Sequence, residues 1–189
     1  MLTGLKSAIE DRLHLDEPLL LIVHFPDTFA ELQDVLAEWE FDYQILDHRI
    51  SPIDLKSQGH FKLVLGLAEL LIDENHHCTA ESDQKLSVIV AERHPSGKYD
   101  ARLESYFRSA RIRIDLGYLL SFEDATLKSI VNESALKIFD MFGMGENELV
   151  TSNMISRRID RSQKRIAREV ISNHPAESAE AWLKRNRSS

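Results

Sequence analysis

Apolar and polar positions change rhythm along this chain, and the changes predict its elements. Leu19 to Val23 is apolar at every position, the pattern of a strand covered on both faces. A helix is expected next, opened by a capping box of Thr28 and Glu31, with Phe29, Leu32, Leu36 and Trp39 on its apolar side. Tyr43 to Leu46 reads as a second strand, Phe61 to Leu65 as a third, Leu86 to Ala91 as a fourth and Ile112 to Leu120 as a fifth. Asp73 to Gln84 is predicted to be a polar loop. Short apolar runs alternating with helical periods point to an α/β domain built on parallel strands.

From Ser121 the pattern turns helical, with Ser121 and Asp124 as a capping pair and apolar patches at Leu127, Ile130 and Val131 and at Leu136, Phe139 and Phe142. Gly143 and Gly145 close that region. Thr151 or Ser152 is then expected to cap a longer helix reaching about Ser172. At about 100° per residue, Ile155, Ile159, Ile166 and Val170 share one narrow stripe. Arg157, Arg161, Lys164, Arg165 and Arg168 share the opposite side. Pro175 disfavours helical geometry at the residue before it, and Ala176 to Leu183 forms a last short helix. The organisation expected is a domain over residues 1–150 and a basic helical arm over residues 151–189.

Charge sharpens that division. The net charge is −8. Residues 151–189 hold nine Lys/Arg against four Asp/Glu, or +5, which leaves −13 on residues 1–150. A basic arm on an acidic body suggests a docking element. A single cysteine, Cys78, excludes an intrachain disulfide and fits a reducing cytoplasm. The longest apolar run is far below the roughly 18 residues of a membrane span. The acidic N-terminal stretch, with Glu10, Asp11, Asp16 and Glu17, does not read as a secretory signal. The expectation is a soluble cytoplasmic protein.

Candidate chemistry is sparse. Glu92-Arg93-His94 follows the carboxyl end of a predicted strand, where open α/β sheets place ligands. His94 is a candidate general base there; the alternative is a hydrogen-bonded cluster that holds the following loop. Asn75-His76-His77-Cys78 lacks the convergent spacing of metal ligands and reads as loop. The chain has no G-x-x-x-x-G-K-[ST] phosphate cradle and no G-x-S-x-G elbow. No metal and no cofactor is expected. The basic stripe from Arg157 to Arg168 lacks interleaved aromatics for stacking bases, and the acidic body opposes phosphate backbones. An acidic protein surface is the expected partner.

Residues 92–124 resemble, without a gap, the second nucleotide-binding domain of SecA, the bacterial preprotein translocase motor. The matching residues are Glu92-Arg93-His94, Ser96, Asp100, Leu103 and Leu120-Ser121-Phe122-Glu123-Asp124. Upstream, Pro18 to Leu21, Leu32, Leu36, Phe41 and Ile45-Leu46 are similar to that domain's opening elements. Downstream, Leu127, Phe139, Gly143-Met144, Glu148, Val150, Ile155, Ile159, Gln163 and Ile166 match the stretch leading into its scaffold helix. The resemblance covers roughly residues 15–170 and implies a RecA-like parallel sheet flanked by helices, followed by an α-helical extension.

The resemblance also shows what this chain departs from. Where the family has a glutamine and two arginines that neutralise the leaving phosphate, this sequence has Arg102, Tyr106 and Ser109, with Arg108 and Arg111 out of register. The family's glycine-rich nucleotide loop is replaced by Gly66-Leu67-Ala68-Glu69-Leu70-Leu71, a segment suited to a helix. The expectation is a degenerate second motor lobe that does not hydrolyse ATP alone, a relic site at Glu92, Arg93 and His94, and partner binding through Arg157, Arg161, Lys164, Arg165 and Arg168. It would serve as a protein-binding or regulatory module in protein translocation. The alternative is half of a split translocase motor whose phosphate loop lies on a partner chain. A homodimer through the face that once met the first lobe is a further expectation.

Overall fold

The computed structural model describes residues 2–15, 17–46, 62–72, 81–109, 111–119 and 153–187. Among the described residues, five parallel strands form one sheet: β1 (Leu19–Val23), β2 (Tyr43–Ile45), β3 (Leu63–Leu67), β4 (Glu81–Val90) and β5 (Arg111–Tyr118). Their spatial order is β2-β3-β1-β4-β5. β1 lies at the centre with Leu21 paired to Leu65 on one side and to Ile89 on the other. Every side chain of β1 is buried, which accounts for its unbroken apolar run.

Alternation along the strands sends side chains to two cores. Leu20, Ile22, Val64, Val88 and Val90 pack on one face against α3 (Glu69–Ile72) and α4 (Gly97–Ser109), through Leu71, Leu103 and Phe107. Leu19, Leu21, Val23, Leu63 and Leu65 pack on the other against α1 (Leu2–His14) and α2 (Pro26–Glu38), through Leu5, Ile9, Leu32 and Leu36. The result is the layered α/β architecture expected of a RecA-like lobe. α1 was not expected, although Leu5 and Ile9 stand one helical turn apart.

Gly66 is a packing requirement within β3. A Cβ there would meet Leu46 Cδ2 at 2.7 Å and Leu46 Cβ at 2.8 Å. The segment after Gly66 is helical, as its Ala/Leu content predicts: α3 begins at Glu69 and buries Leu71.

Several boundaries move. The predicted loop of residues 73–84 gives up its last part, because β4 begins at Glu81 and pairs there with Arg111, with a register shift before Lys85. These polar residues extend the strand beyond the central sheet, where β5 is the partner. β3 begins at Leu63 and continues to Leu67, two residues further than predicted. Thr28 and Glu31 do not form a capping box. α2 starts at Pro26 with Phe25 at the cap position and no side-chain cap of its own, for a reason supplied by Glu92. The predicted elements between 120 and 152, and the Asn75 to Cys78 segment, lie outside the described residues.

The C-terminal extension is α5 (Asn153–Glu169) and α6 (Ala179–Asn186). α5 stops short of Ser172 because Val170 bridges to Arg187 instead. α6 begins three residues later than predicted, since Ser178 Oγ accepts the Ala181 N–H at 3.3 Å and sets the start. Ile166, Trp182 and Leu183 then bury together against Phe25, at the start of α2.

Candidate functional site

In a sheet of this order the chain winds to one side of β1 through β2 and β3, then to the other through β4 and β5. The reversal falls between β1 and β4, so the crevice beyond their carboxyl ends is the place where such folds bind ligands. β1 ends at Val23 and is followed by His24; β4 ends at Val90 and is followed two residues on by Glu92. The sequence-predicted trio Glu92, Arg93 and His94 therefore lies in that crevice.

Each of the three has a structural commitment. Glu92 Oε1 accepts the backbone N–H of His24 at 2.7 Å and of Phe25 at 2.9 Å, while Oε2 accepts the Thr28 hydroxyl at 2.9 Å. A carboxylate from β4's end thus caps α2, filling the anion position at a helix N-terminus. Because α2 begins at Pro26, Thr28 lies inside its first turn and not at the cap position. Burial pushes the Glu92 carboxyl above its ordinary range, and the hydrogen bonds from Thr28, Phe25 and His24 only partly offset it.

Arg93 donates to Asp100 Oδ2 at 3.1 Å, and its guanidinium lies 3.4 Å from the centre of the Tyr118 ring. Asp100, in the first turn of α4, is the hub. It also accepts the His94 backbone N–H at 3.2 Å and the Gln163 amide at 2.6 Å. His24 Nε2 lies 2.9 Å from Asp100 Oδ1 but off the hydrogen-bonding direction. Burial alone would raise the Asp100 carboxyl; His24, Arg93 and Gln163 outweigh it and hold the carboxyl below its ordinary value.

His94 is not placed as a general base. Its Nδ1 accepts the Ser96 N–H at 2.9 Å. Its ring stacks on Phe25 at 5.1 Å, meets Tyr99 at 3.9 Å and takes the edge of Trp182 at 4.9 Å. Burial, reinforced by His24 and opposed by Asp100, lowers it from 6.5 to about 3, so the ring is neutral at physiological pH. The strand-end cluster, of the two readings of this trio, is the one the geometry supports.

The extension completes the site. Gln163 of α5 donates its amide to both the His94 carbonyl, at 2.8 Å, and Asp100. Gly97 permits that approach, because a Cβ there would stand 3.1 Å from Gln163 Oε1. The Asp27 N–H donates to the Glu177 carbonyl at 3.0 Å, and Trp182 inserts beside His94. The crevice is thus filled by the chain's own C-terminal segment. Arg93 Nε and Trp182 Nε1 are buried there without a hydrogen-bond partner among the described residues. No group of three or more His, Cys, Asp or Glu side chains among the described residues is arranged to hold a metal ion.

The other predicted positions separate from this cluster. Arg157, Arg161, Lys164, Arg165 and Arg168 are all exposed on α5, opposite Ile159, Gln163 and Ile166. Glu169 pairs with Arg187 beside the Val170–Arg187 bridge. On α4, Arg102 is exposed, Tyr106 packs partly into the core beside Phe107, and the Ser109 hydroxyl donates to the Tyr106 carbonyl at 2.7 Å. His24, Thr28 and Trp182 had no sequence signal of a site. Asp100 and Gln163 were legible as matching residues but not as hub and strut.

No protein-family profile matches the chain. It is similar over part of its length to curated SecA protein translocase subunits. One from Geobacter sp. (strain M21) is 34% identical over 106 residues, covering 51% of this chain and 11% of the relative. One from Amoebophilus asiaticus is 33% identical over 84 residues, covering 43% and 7%. One from Phocaeicola vulgatus is 23% identical over 167 residues, covering 84% and 15%. The chain therefore spans only a small part of the relatives it matches. Among solved structures, the C-terminal part of the Fun30 ATPase domain aligns with a TM-score of 0.45 at 11% identity, covering 87% of this chain and 53% of that one. Among the described residues, no helix is long and apolar enough to cross a membrane.

Proposed function

We propose that this chain is a catalytically degenerate relative of the second SecA motor lobe that works as a protein-binding or regulatory module in protein translocation. The observation that carries this reading is the filled crevice. Its anion position is occupied by Glu92, and its hub carboxylate is committed to His24, Arg93 and Gln163. Phosphoryl transfer needs positive charge free to meet a leaving phosphate. Arg93 is spent on Asp100 and Tyr118, and Tyr106 and Ser109 stand where the resemblance places motor arginines. In this reading the module recognises surfaces and does not turn over ATP by itself.

Activity and capture measurements test it. Calorimetric titration and phosphate release with ATP should give no turnover above background; sustained turnover by the purified chain would overturn the non-enzymatic reading. Crosslinking capture from the native cell should recover a component of the translocation machinery, and recovery of no such component and no motor protein would sink the translocation link. Addition of a chain carrying a phosphate loop provides the split-motor arm: stimulated phosphate release would favour that alternative.

A further inference from the structure

α2 and α5 carry charge stripes of opposite sign and equal spacing. On α2, Asp27, Glu31, Asp34 and Glu38 are all exposed, and the helix holds no Lys or Arg. On α5, Arg157, Arg161, Lys164 and Arg168 are all exposed, with Arg165 beside them. Both sets follow steps of four, three and four residues. At about 100° per residue each stripe falls within an arc of roughly 60°, and at about 1.5 Å per residue each is about 17 Å long. Each lies away from its helix's buried side, which is Leu32, Val35 and Leu36 on α2 and Ile159 and Ile166 on α5.

The two stripes do not meet within one chain. None of these eight residues has an ion-pair partner among the described residues. Like charges one turn apart destabilise the helix that bears them, and α2 has no internal cation to offset this. A partner helix with cations at the same intervals relieves both stripes at once.

We infer that the partner is a second copy of this chain, with α5 of one copy lying along α2 of the other. The four-three-four spacing reads identically in both directions, so the charges register whether the helices run parallel or antiparallel. Helix dipoles favour the antiparallel pairing. Ala30 and Ala37, both exposed beside the acidic stripe, leave room for a second helix to approach. Each chain is −8 overall, which repels a second copy at long range. At about 0.1 M salt the Debye length is about 10 Å, so that repulsion is screened while charges in contact still attract. The inference rests on the basic stripe being a docking face, as the charge division of the sequence suggests. It does not require the translocation link, which the capture experiment addresses separately.

Sedimentation velocity on the full chain tests it. Association that grows with concentration at about 0.1 M salt and disappears at about 1 M is expected. The variants Glu31→Lys/Asp34→Lys and Arg161→Glu/Lys164→Glu should each weaken self-association at least about tenfold, because like charges are brought together. Mixing the two variants should restore it, with opposite charges facing again. If a reversal disturbs folding by circular dichroism, Glu31→Gln/Asp34→Gln and Arg161→Gln/Lys164→Gln take its place, each expected to weaken association. A monomer at every concentration, indifference to either change, or failure of the reversed pair to combine would overturn the inference. Sensitivity to the α5 change alone would also overturn it, by assigning the basic stripe to a different acidic surface.

Discussion

His94 is surrounded by rings and accepts a hydrogen bond from Ser96, so its neutral form is built into the folded state. The unfolded chain protonates this histidine near 6.5, the folded chain only near 3. Between those values the unfolded chain holds the extra proton, so stability falls as the pH drops, by about 2 kcal/mol between roughly pH 7 and 5. Glu92 acts in the opposite sense, because burial raises its carboxyl and the folded state takes up that proton first. Asp100 adds to the loss only in more acidic solution, since its carboxyl is held low despite burial. Urea unfolding across this range should show the slope, and His94→Asn should flatten it while lowering stability at neutral pH. An unchanged slope in that variant would assign the proton to another group. Gln163 offers a second check: Gln163→Ala removes a donor from a buried carboxylate and should cost about 1–3 kcal/mol in the same assay.

Between neighbouring elements, tight packing decides which residue types are tolerated. Gly66→Ala places a methyl against Leu46, and overpacking of this kind costs about 1–3 kcal/mol. Leu46→Gly removes both the Cδ2 and the Cβ that the methyl would meet, so the double variant should lose less than the sum of the two single losses, as a thermodynamic cycle in urea would show. The sequence was most legible where packing is uniform: Leu19 to Val23 announces a strand buried on both faces, and Leu32 and Leu36 announce the helix beside it. It was least legible where one element is completed by a distant one. α2 is capped by Glu92, sixty-four residues from Thr28, so the local Thr28 and Glu31 signal misled. Glu81 joins β4 through its pairing with Arg111, which no local polarity indicates. Asp100 drew attention as a matching residue, but its role depends on His24 and Gln163 arriving from other parts of the chain.

Across the whole molecule, the lobe and the C-terminal extension share one buried cluster, with Trp182 and Ile166 packed on Phe25. Truncating a buried tryptophan typically costs about 3–5 kcal/mol. Trp182→Ala should therefore speed amide exchange along α5 and α6 while β1 and β3 stay protected, because the central sheet has its own two cores. Equal loss of protection in β1 would show that the extension and the sheet unfold as one unit.

Asn186 determines how that extension could come away. Its Oδ1 accepts the Ser172 hydroxyl at 2.9 Å and the His174 N–H at 2.6 Å, and its Nδ2 donates to the His174 and Trp182 carbonyls at 2.9 Å each. With Val170 bridged to Arg187 alongside, the segment is tied at its neck into a closed loop joined to the end of α5. The Trp182 insertion and the Gln163 strut are then fasteners arranged in parallel on one rigid piece. Pulling on either loads both, so the plug stays seated until both give way together.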